Sequence, residues 1–212
     1  MKNREMMIIQ NEGVIAMGNW IPSIEVQSAR GPREIQLLTG HLKERRVFLT
    51  GSIEEDMAED IISQLLYLDQ DEAPIHLIIN SPGGSVRDGL MIYDILKGMK
   101  STVEMYCMGT AASMAAVLFA SGEKGHRHIL PHAEVMIHEP LISGGVGGSA
   151  TTINRVSDHI LETKRTVNQI LAEHTGKNLD EINEATAFDN YMNAEESIEF
   201  GICDNIVTRI GV

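Results

Sequence analysis

Cysteine and positive charge are both scarce in this sequence. Only two cysteines occur in 212 residues, Cys107 and Cys203, each within or beside an apolar stretch. They could pair, but in a chain without an export signal we expect reduced core residues. Lysine and arginine number 17 against 30 acidic residues, which gives a net charge of −13 spread along the chain. This acidity disfavours nucleic acids and anionic membranes as partners.

Long apolar runs are missing as well. No stretch approaches the roughly 20 apolar residues that a membrane helix needs, and the N-terminus at Met1 leads into no small-residue cleavage site. These absences predict a cytoplasmic protein. Apolar residues still make up 43% of the chain, enough for one well-packed domain over residues 1–212.

The middle of the chain alternates between strand-like and helix-like periodicity, which predicts an α/β fold. Predicted strands lie at 46–50, 74–79, 102–108 and near 129 and 135, and predicted helices lie at 54–69, 86–99 and after Ser113. The simplest topology joins parallel strands by right-handed crossovers, with helices covering the sheet.

The pattern breaks at residues 140–152, a glycine-rich stretch without a period that predicts a mobile loop. A long helix is predicted from there to about His174, with Gly176 as its C-cap. Its apolar stripe could pack on its own domain or on another subunit. Short helices at 178–185 and 194–201 and a last strand at 202–207 complete the prediction.

Ser113 and His138 form the first candidate site. Ser113 lies among small residues at the start of an apolar helical run, and His138 ends a strand-like run. A serine that opens a helix and a histidine that closes a strand suggest a nucleophile and its base. Each residue alone also fits a structural role, as a helix N-terminal serine or as a core histidine.

Acyl transfer also needs an orienting acid and donors for the oxyanion. Gly84 lies at a strand-to-helix turn, and its amide could form an oxyanion hole with the amide of Met114; a plain tight turn is the alternative. Asp189 lies in a turn that contains aromatic residues. Spacing alone cannot select it among the acids, and an N-cap or Asx-turn role stays open.

Four segments give the chain a family resemblance. They are Gly109–Ala116, Leu130–Leu141, Asn80–Val86 and Met192–Ser197. All of them resemble segments of the proteolytic subunit of the Clp protease, and the resemblance extends from about residue 21 to residue 207. It implies a crotonase-type spiral of ββα units, preceded by an N-terminal segment at 1–20 and bearing a protruding handle helix at about 149–174.

The same resemblance implies roles and partners. Ser113 would be the nucleophile, His138 the general base and Asp189 the orienting acid, while Gly84 and Met114 would supply the oxyanion-hole amides. Subunits of this family form two stacked seven-membered rings that cleave polypeptides, and a separate AAA+ chaperone unfolds the substrates. No cofactor is implied for this chain, which has no Gly-x-x-x-x-Gly-Lys-Ser/Thr motif, so the chaperone would use the ATP.

Several positions differ from the usual family pattern. Glu139 and Phe188 stand where the family usually has glutamine and arginine, and the segment 143–149 is richer in glycine and longer. Two tyrosines that commonly line the chaperone-docking pocket are matched by His76 and Ile78. These differences predict a divergent paralogue with retained catalytic residues and a weaker or altered chaperone partnership.

Three alternatives stay open at the level of sequence. The chain could be a structural subunit that is active only in a mixed ring with a paralogue. It could also be a crotonase-type acyl-CoA enzyme, since a shared fold does not fix function. His126, His128 and His132 invite a zinc hypothesis, but no familiar ligand spacing is completed. We therefore expect no metal, and histidines that are exposed or bonded to the backbone.

Overall fold

The computed structural model describes residues 22–28, 31–142 and 144–211. The chain divides into two compact units, Met1–Gly40 and His41–Val212. The expected N-terminal segment at 1–20 lies outside the described residues. The expectation of a single domain over residues 1–212 stays a prediction.

The first unit contains an antiparallel hairpin that the sequence analysis did not predict. Strand β1 (Ser23–Ser28) pairs with β2 (Gly31–Gln36), and helix α1 (Leu37–Lys43) follows directly. Ile24 lies opposite Ile35 in the register, so one face of the ribbon carries the apolar side chains. Its strands are short and mostly polar, which hides their two-residue period.

The second unit is built on a mostly parallel sheet, as predicted. Its strands are β3 (Arg46–Thr50), β4 (Ile75–Ser81), β5 (Val103–Ala112), β6 (Arg127–Ile129), β7 (Glu134–Ile137), β8 (Asn190–Met192) and β9 (Asn205–Ile206). The parallel order is β3-β4-β5-β6-β9. Strand β7 pairs in parallel with the later part of β5, and β8 pairs with β7 in the antiparallel sense.

Six helices follow α1 within the described residues. They are α2 (Glu55–Leu68), α3 (Val86–Gly98), α4 (Met114–Ala120), α5 (Ala150–Thr175), α6 (Leu179–Ala185) and α7 (Ala194–Phe200). The predicted stripe of α2 is buried at Ile61, Leu65 and Leu68. Helix α4 is buried along its whole length, and Ser113 lies directly before it, between the end of β5 and the first residue of α4.

The structure corrects three sequence predictions. The sheet is not wholly parallel, because β8 runs antiparallel to β7. The last strand is Asn205–Ile206 rather than 202–207, since the amides of Ile202 and Cys203 bond to the carbonyl of Ser197 and belong to the end of α7. The glycine-rich loop is shorter than predicted because α5 begins at Ala150. Gly176 caps α5 in the left-handed conformation, as predicted.

Both cysteines are free and buried, as expected. Burial raises the pKa of the Cys107 thiol to about 12, and it raises the pKa of Cys203 to about 12 as well. Such thiols hold their protons at neutral pH and behave as small apolar core groups. Among the described residues, we find no helix with the length and apolar character needed to cross a membrane.

Candidate active site

The register of three strands explains how distant residues meet. Strand β5 ends at Ala112, which lies beside Met136 of β7, so Ser113 follows at the edge where β7 is about to end. Ile137 of β7 lies opposite Asn190 of β8. The next antiparallel position along each strand brings His138 opposite Asp189. The sheet therefore gathers Ser113, His138 and Asp189 at one edge, although they are spread over the sequence.

Ser113 occupies a strained turn between β5 and α4. Its φ is 54° and its ψ is −123°, a backbone conformation that is uncommon for a residue with a side chain. Its amide donates to the carbonyl of Met136 at 2.8 Å, which fixes the turn to β7. The hydroxyl makes no capping bond to α4 among the described residues. Instead, Ser113 Oγ lies 2.8 Å from His138 Nε2.

His138 is held between the serine and a carboxylate. Its Nδ1 lies 3.0 Å from Asp189 Oδ1. An ionised carboxylate can only accept, so Nδ1 carries the proton and Nε2 is free to accept from the serine hydroxyl. The His138 side chain is 16% exposed and that of Asp189 is 57% exposed. Asp189 makes no bond typical of an Asx-turn within the described residues, so its geometry differs from that structural alternative.

The glycines at the end of β4 lie directly against the serine. A methyl group on Gly83 would stand 2.7 Å from Ser113 Cβ and 3.0 Å from the amide nitrogen of Met114, so only a glycine permits this approach. The sequence analysis missed Gly83, although its place in the pair Gly83-Gly84 was the available signal. The positive φ of 88° at Gly83 is a second reason for glycine there.

The amides of Gly84 and Met114 are unpaired donors near the serine. Gly84 forms a bridge with Ile53 in which the neighbouring groups, the Gly83 carbonyl and the Ser85 amide, bond to Ile53. The amide of Gly84 itself therefore points away from Ile53. Neither this amide nor that of Met114 has an acceptor among the described residues. Amides without an internal acceptor can stabilise a negative charge that develops on a nearby oxygen.

The side chain of Met114 anchors this corner of the site. It is 2% exposed, and a methyl group on Gly89 of α3 would lie 2.2 Å from its Cγ. Gly89 thus leaves the space that Met114 fills. The first turn of α4 is fixed in the core on one side of the serine, while the serine hydroxyl faces His138 on the other side.

A sequence model of a known protein family matches most of the chain. The sequence model of the Clp protease family matches residues 29–210. The chain belongs to the Clp protease family. This confirms the resemblance found in the sequence, and membership of the Clp protease family implies a peptidase of the serine type. The match covers every strand from β3 to β9, and the Ser113, His138 and Asp189 positions lie within it.

This Clp protease family chain carries a second cluster of histidines around one acid. Glu104 accepts from His126 Nδ1 and His128 Nε2 through different carboxylate oxygens, each at 2.8 Å. The expectation that these histidines are exposed or bonded to the backbone is therefore wrong for His126 and His128. The reason is the strand register: His128 of β6 pairs with Tyr106 of β5, and Glu104 lies two residues before Tyr106 on the same strand. His132 is exposed, as expected. In the described ranges, no three His, Cys, Asp or Glu side chains form a metal-binding group.

The second cluster lines a surface cavity of about 530 Å³. His76, Tyr106 and His128 stand in a row along one wall, with ring centroids 5.9 and 4.9 Å apart. Burial lowers the pKa of His76, so its ring stays neutral more readily. Ile78, the other position matched to a docking tyrosine, is only 2% exposed and does not line this cavity.

Proposed function

We propose that this chain is a serine endopeptidase subunit that cleaves unfolded polypeptides through Ser113, His138 and Asp189. The observation that carries the proposal is the continuous chain of hydrogen bonds from Ser113 Oγ to His138 Nε2 and from His138 Nδ1 to Asp189. A hydroxyl, an imidazole and a carboxylate in this order are the parts of a nucleophile, its base and an orienting acid. The strained backbone of Ser113 supports a functional role.

The proposed reaction passes through an acyl-enzyme. Ser113 Oγ attacks the carbonyl carbon of the peptide while its proton moves to His138 Nε2. The imidazolium then donates that proton to the departing amine, the C–N bond breaks, and an ester forms at Ser113. Water then gives one proton to His138 Nε2 and attacks the ester carbonyl. The imidazolium returns that proton to Ser113 Oγ as the acyl C–O bond breaks, which releases the acid and the free serine. Asp189 accepts from Nδ1 throughout and stabilises the imidazolium.

Gly84 and Met114 are the proposed oxyanion hole. Their amides have no other acceptors in the described chain, so they are available to the oxygen that becomes negative in the tetrahedral intermediate. The close approach of Gly83 to Ser113 supports this assignment, because it brings the glycine backbone beside the reacting hydroxyl. The assignment needs no metal, and none of the proposed steps uses a cofactor.

The proposed assembly is the pair of stacked seven-membered rings that is general for the family. Exposed apolar side chains in the single chain support burial against further copies; they are Leu141, Ile142, Val146, Ile153, Leu161 and Phe188. The apolar stripe of α5 is buried at Val167 and Leu171 but exposed at Ile153. We therefore assign the N-terminal half of α5 to the handle between rings, on a spiral of ββα units.

The proposed partner is an AAA+ chaperone that unfolds the substrate with its own ATP. His76, which is matched to one of the docking tyrosines, lines the cavity beside Glu104 and His128, so one aromatic anchor is replaced by a more polar ring, and apolar anchors dominate most such docking. A weaker partnership follows, and a mixed complex with a paralogous subunit could restore it. His76→Tyr should then increase chaperone-dependent degradation of a folded substrate while leaving short-peptide hydrolysis unchanged.

The decisive variant for the proposed activity is Ser113→Ala. We expect loss of peptide hydrolysis on the order of 10⁴–10⁶-fold, because the nucleophile is removed from a group that acts as a unit. The assembly should stay intact by analytical ultracentrifugation, since among the described residues the side-chain bond of the hydroxyl is to His138, within the same chain. Near-normal hydrolysis by the alanine variant would contradict the serine-peptidase proposal.

A further inference from the structure

The base and the acid of the proposed site lie on two loops that meet the same helix. Lys164 and Asn168 are one turn apart on α5, so their side chains leave the helix on the same side. The Lys164 ammonium donates to Glu139, the residue directly after His138. The Asn168 amide donates to Thr186, which lies on the loop that carries Asp189.

Glu139 connects the two loops as well as the helix. Its amide donates to the carbonyl of Thr186 at 2.8 Å, and its carboxylate accepts from Lys164. The adjacent side chain, that of His138, contacts Ser113 and Asp189. The backbone that carries the imidazole is thus fixed through Glu139 to the acid's loop and to α5.

The two loops are anchored differently. Thr186 is fully buried and Asn168 is 1% exposed, so the bond from Asn168 to Thr186 at 3.3 Å holds the acid's loop inside the protein. The Asn168 amide also donates to Asn183 of α6, the helix before that loop, at 2.8 Å. The loop that follows His138 is bonded to α5 by the side chain of Glu139, which is 45% exposed. Its partner on α5, Lys164, is 28% exposed. Besides its backbone bond to Thr186, Glu139 is thus joined to α5 by a partly exposed ion pair, which can be broken without opening the core.

We propose that Glu139 and Lys164 are positioning residues that set the orientation of His138 toward Ser113. This inference rests on the proposed function, and it assigns a role to a position where the sequence differs from the usual family pattern. Neither residue touches the reacting atoms. Small displacements of a catalytic group lower the rate of the chemical step more than they weaken substrate binding.

The test is a charge-reversal cycle in the assembled protein. Lys164→Glu and Glu139→Lys are each expected to lower kcat for a short fluorogenic peptide about fivefold to tenfold, with KM nearly unchanged, because a partly exposed pair contributes modestly. Both should slow acylation of Ser113 by a small fluorophosphonate to the same extent. The double reversal re-forms the pair with opposite polarity and should restore kcat to within about twofold of the unmodified protein.

The chain supplies a matched control in Lys177 and Glu181. This pair joins residues with similar exposure, 28% and 51%, but it lies away from His138. Lys177→Met should leave kcat unchanged, whereas Lys164→Met should lower it about fivefold. Sedimentation and thermal unfolding of every variant separate a loss of assembly or of stability from a loss of positioning.

The outcomes separate this inference from the proposed function. If Ser113→Ala abolishes hydrolysis but the Lys164 and Glu139 variants keep full kcat, the positioning role is wrong and the peptidase stands. The same conclusion follows if the double reversal is no better than the worse single variant, or if kcat falls only as far as assembly does. If Ser113→Ala retains hydrolysis, both proposals are wrong.

Discussion

Two clusters in the second unit join histidine to a carboxylate, and they differ in what lies beyond the histidine. In one, Asp189 bonds to Nδ1 of a single histidine whose other nitrogen lies 2.8 Å from a serine hydroxyl. In the other, Glu104 divides its two oxygens between His126 and His128. The first is a series of hydrogen bonds that ends at a serine hydroxyl. In the second, both histidines bond to the same carboxylate, that of Glu104.

The comparison shows that a histidine beside an acid does not define a catalytic site. At the first cluster, the serine has a strained backbone, and the amides of Gly84 and of the adjacent Met114 have no acceptor among the described residues. At the second, the ring of His128 stacks on Tyr106, with centroids 4.9 Å apart, and no serine hydroxyl bonds to either histidine among the described residues. The groups around a histidine–carboxylate pair, rather than the pair itself, indicate whether it can take part in catalysis or has a structural role.

The same chemical change in both clusters gives the largest contrast. Asp189→Asn should lower kcat for peptide hydrolysis about 10⁴-fold, because an amide cannot hold the imidazole in the required tautomer or stabilise its charged form. Glu104→Gln should leave kcat within about twofold, since Glu104 does not contact the serine chain. Steady-state kinetics on both assembled variants measures the difference. Equal losses in the two would remove the distinction between the clusters.

A second contrast separates contact from backbone strain. Gly83 and Gly51 share a φ of 88°, but an added methyl group meets Ser113 only at Gly83, while Gly51 faces open space. Gly83→Ala should lower kcat about 10²-fold or more, because the methyl group displaces the serine and the oxyanion donors. Gly51→Ala carries the same strain without that contact and should keep kcat within about threefold. A similar loss of kcat in both would attribute the effect to strain alone.

The smallest expected effect concerns stability at acid pH. Burial alone would raise the pKa of Glu104, but the bonds from His128 and His126 outweigh it and lower that pKa below its usual value. A lowered pKa adds stability above the pH where the unfolded group titrates, and this is lost as pH falls through the folded value. The unmodified protein should exceed Glu104→Gln by about 1 kcal/mol in free energy of unfolding at pH 7.

Urea unfolding of both proteins at pH 7 and at pH 3 checks that expectation. The difference between them should be smaller at pH 3, because the stability that the carboxylate contributes is lost as the pH falls toward and through its lowered pKa. A difference that stays constant over this range would mean that the charge of Glu104 contributes nothing to the cluster.

Much of the second unit could be predicted from sequence because its signals are local. Buried strands such as β3 and amphipathic helices such as α2 each carry their own period, and the strand-to-helix transition at Ser113 is visible in the residues. The parallel pairing of β3, β4 and β5 agrees with the predicted topology, in which helices connect parallel strands. The hairpin of the first unit has short, mostly polar strands and gave no such signal.

The finer parts of the candidate site could not be predicted because they depend on register. Asp189 meets His138 only because β8 runs antiparallel to β7, and no pattern in three residues of β8 indicates its direction. The bonds from His126 and His128 to Glu104 require the pairing of β5 with β6. The contact between Glu139 and Lys164 joins residues that are 25 positions apart across the glycine-rich loop.

The most direct measurement of the central claim is covalent labelling of Ser113. The assembled protein is treated with a fluorophosphonate at pH 7.5, and the modified peptide is identified by mass spectrometry. The account predicts one adduct, on Ser113, that forms rapidly in the unmodified protein, is absent in Ser113→Ala, and slows by about 10³-fold or more in His138→Ala. An adduct on another residue, or equal labelling of Ser113 with and without the imidazole, would contradict it.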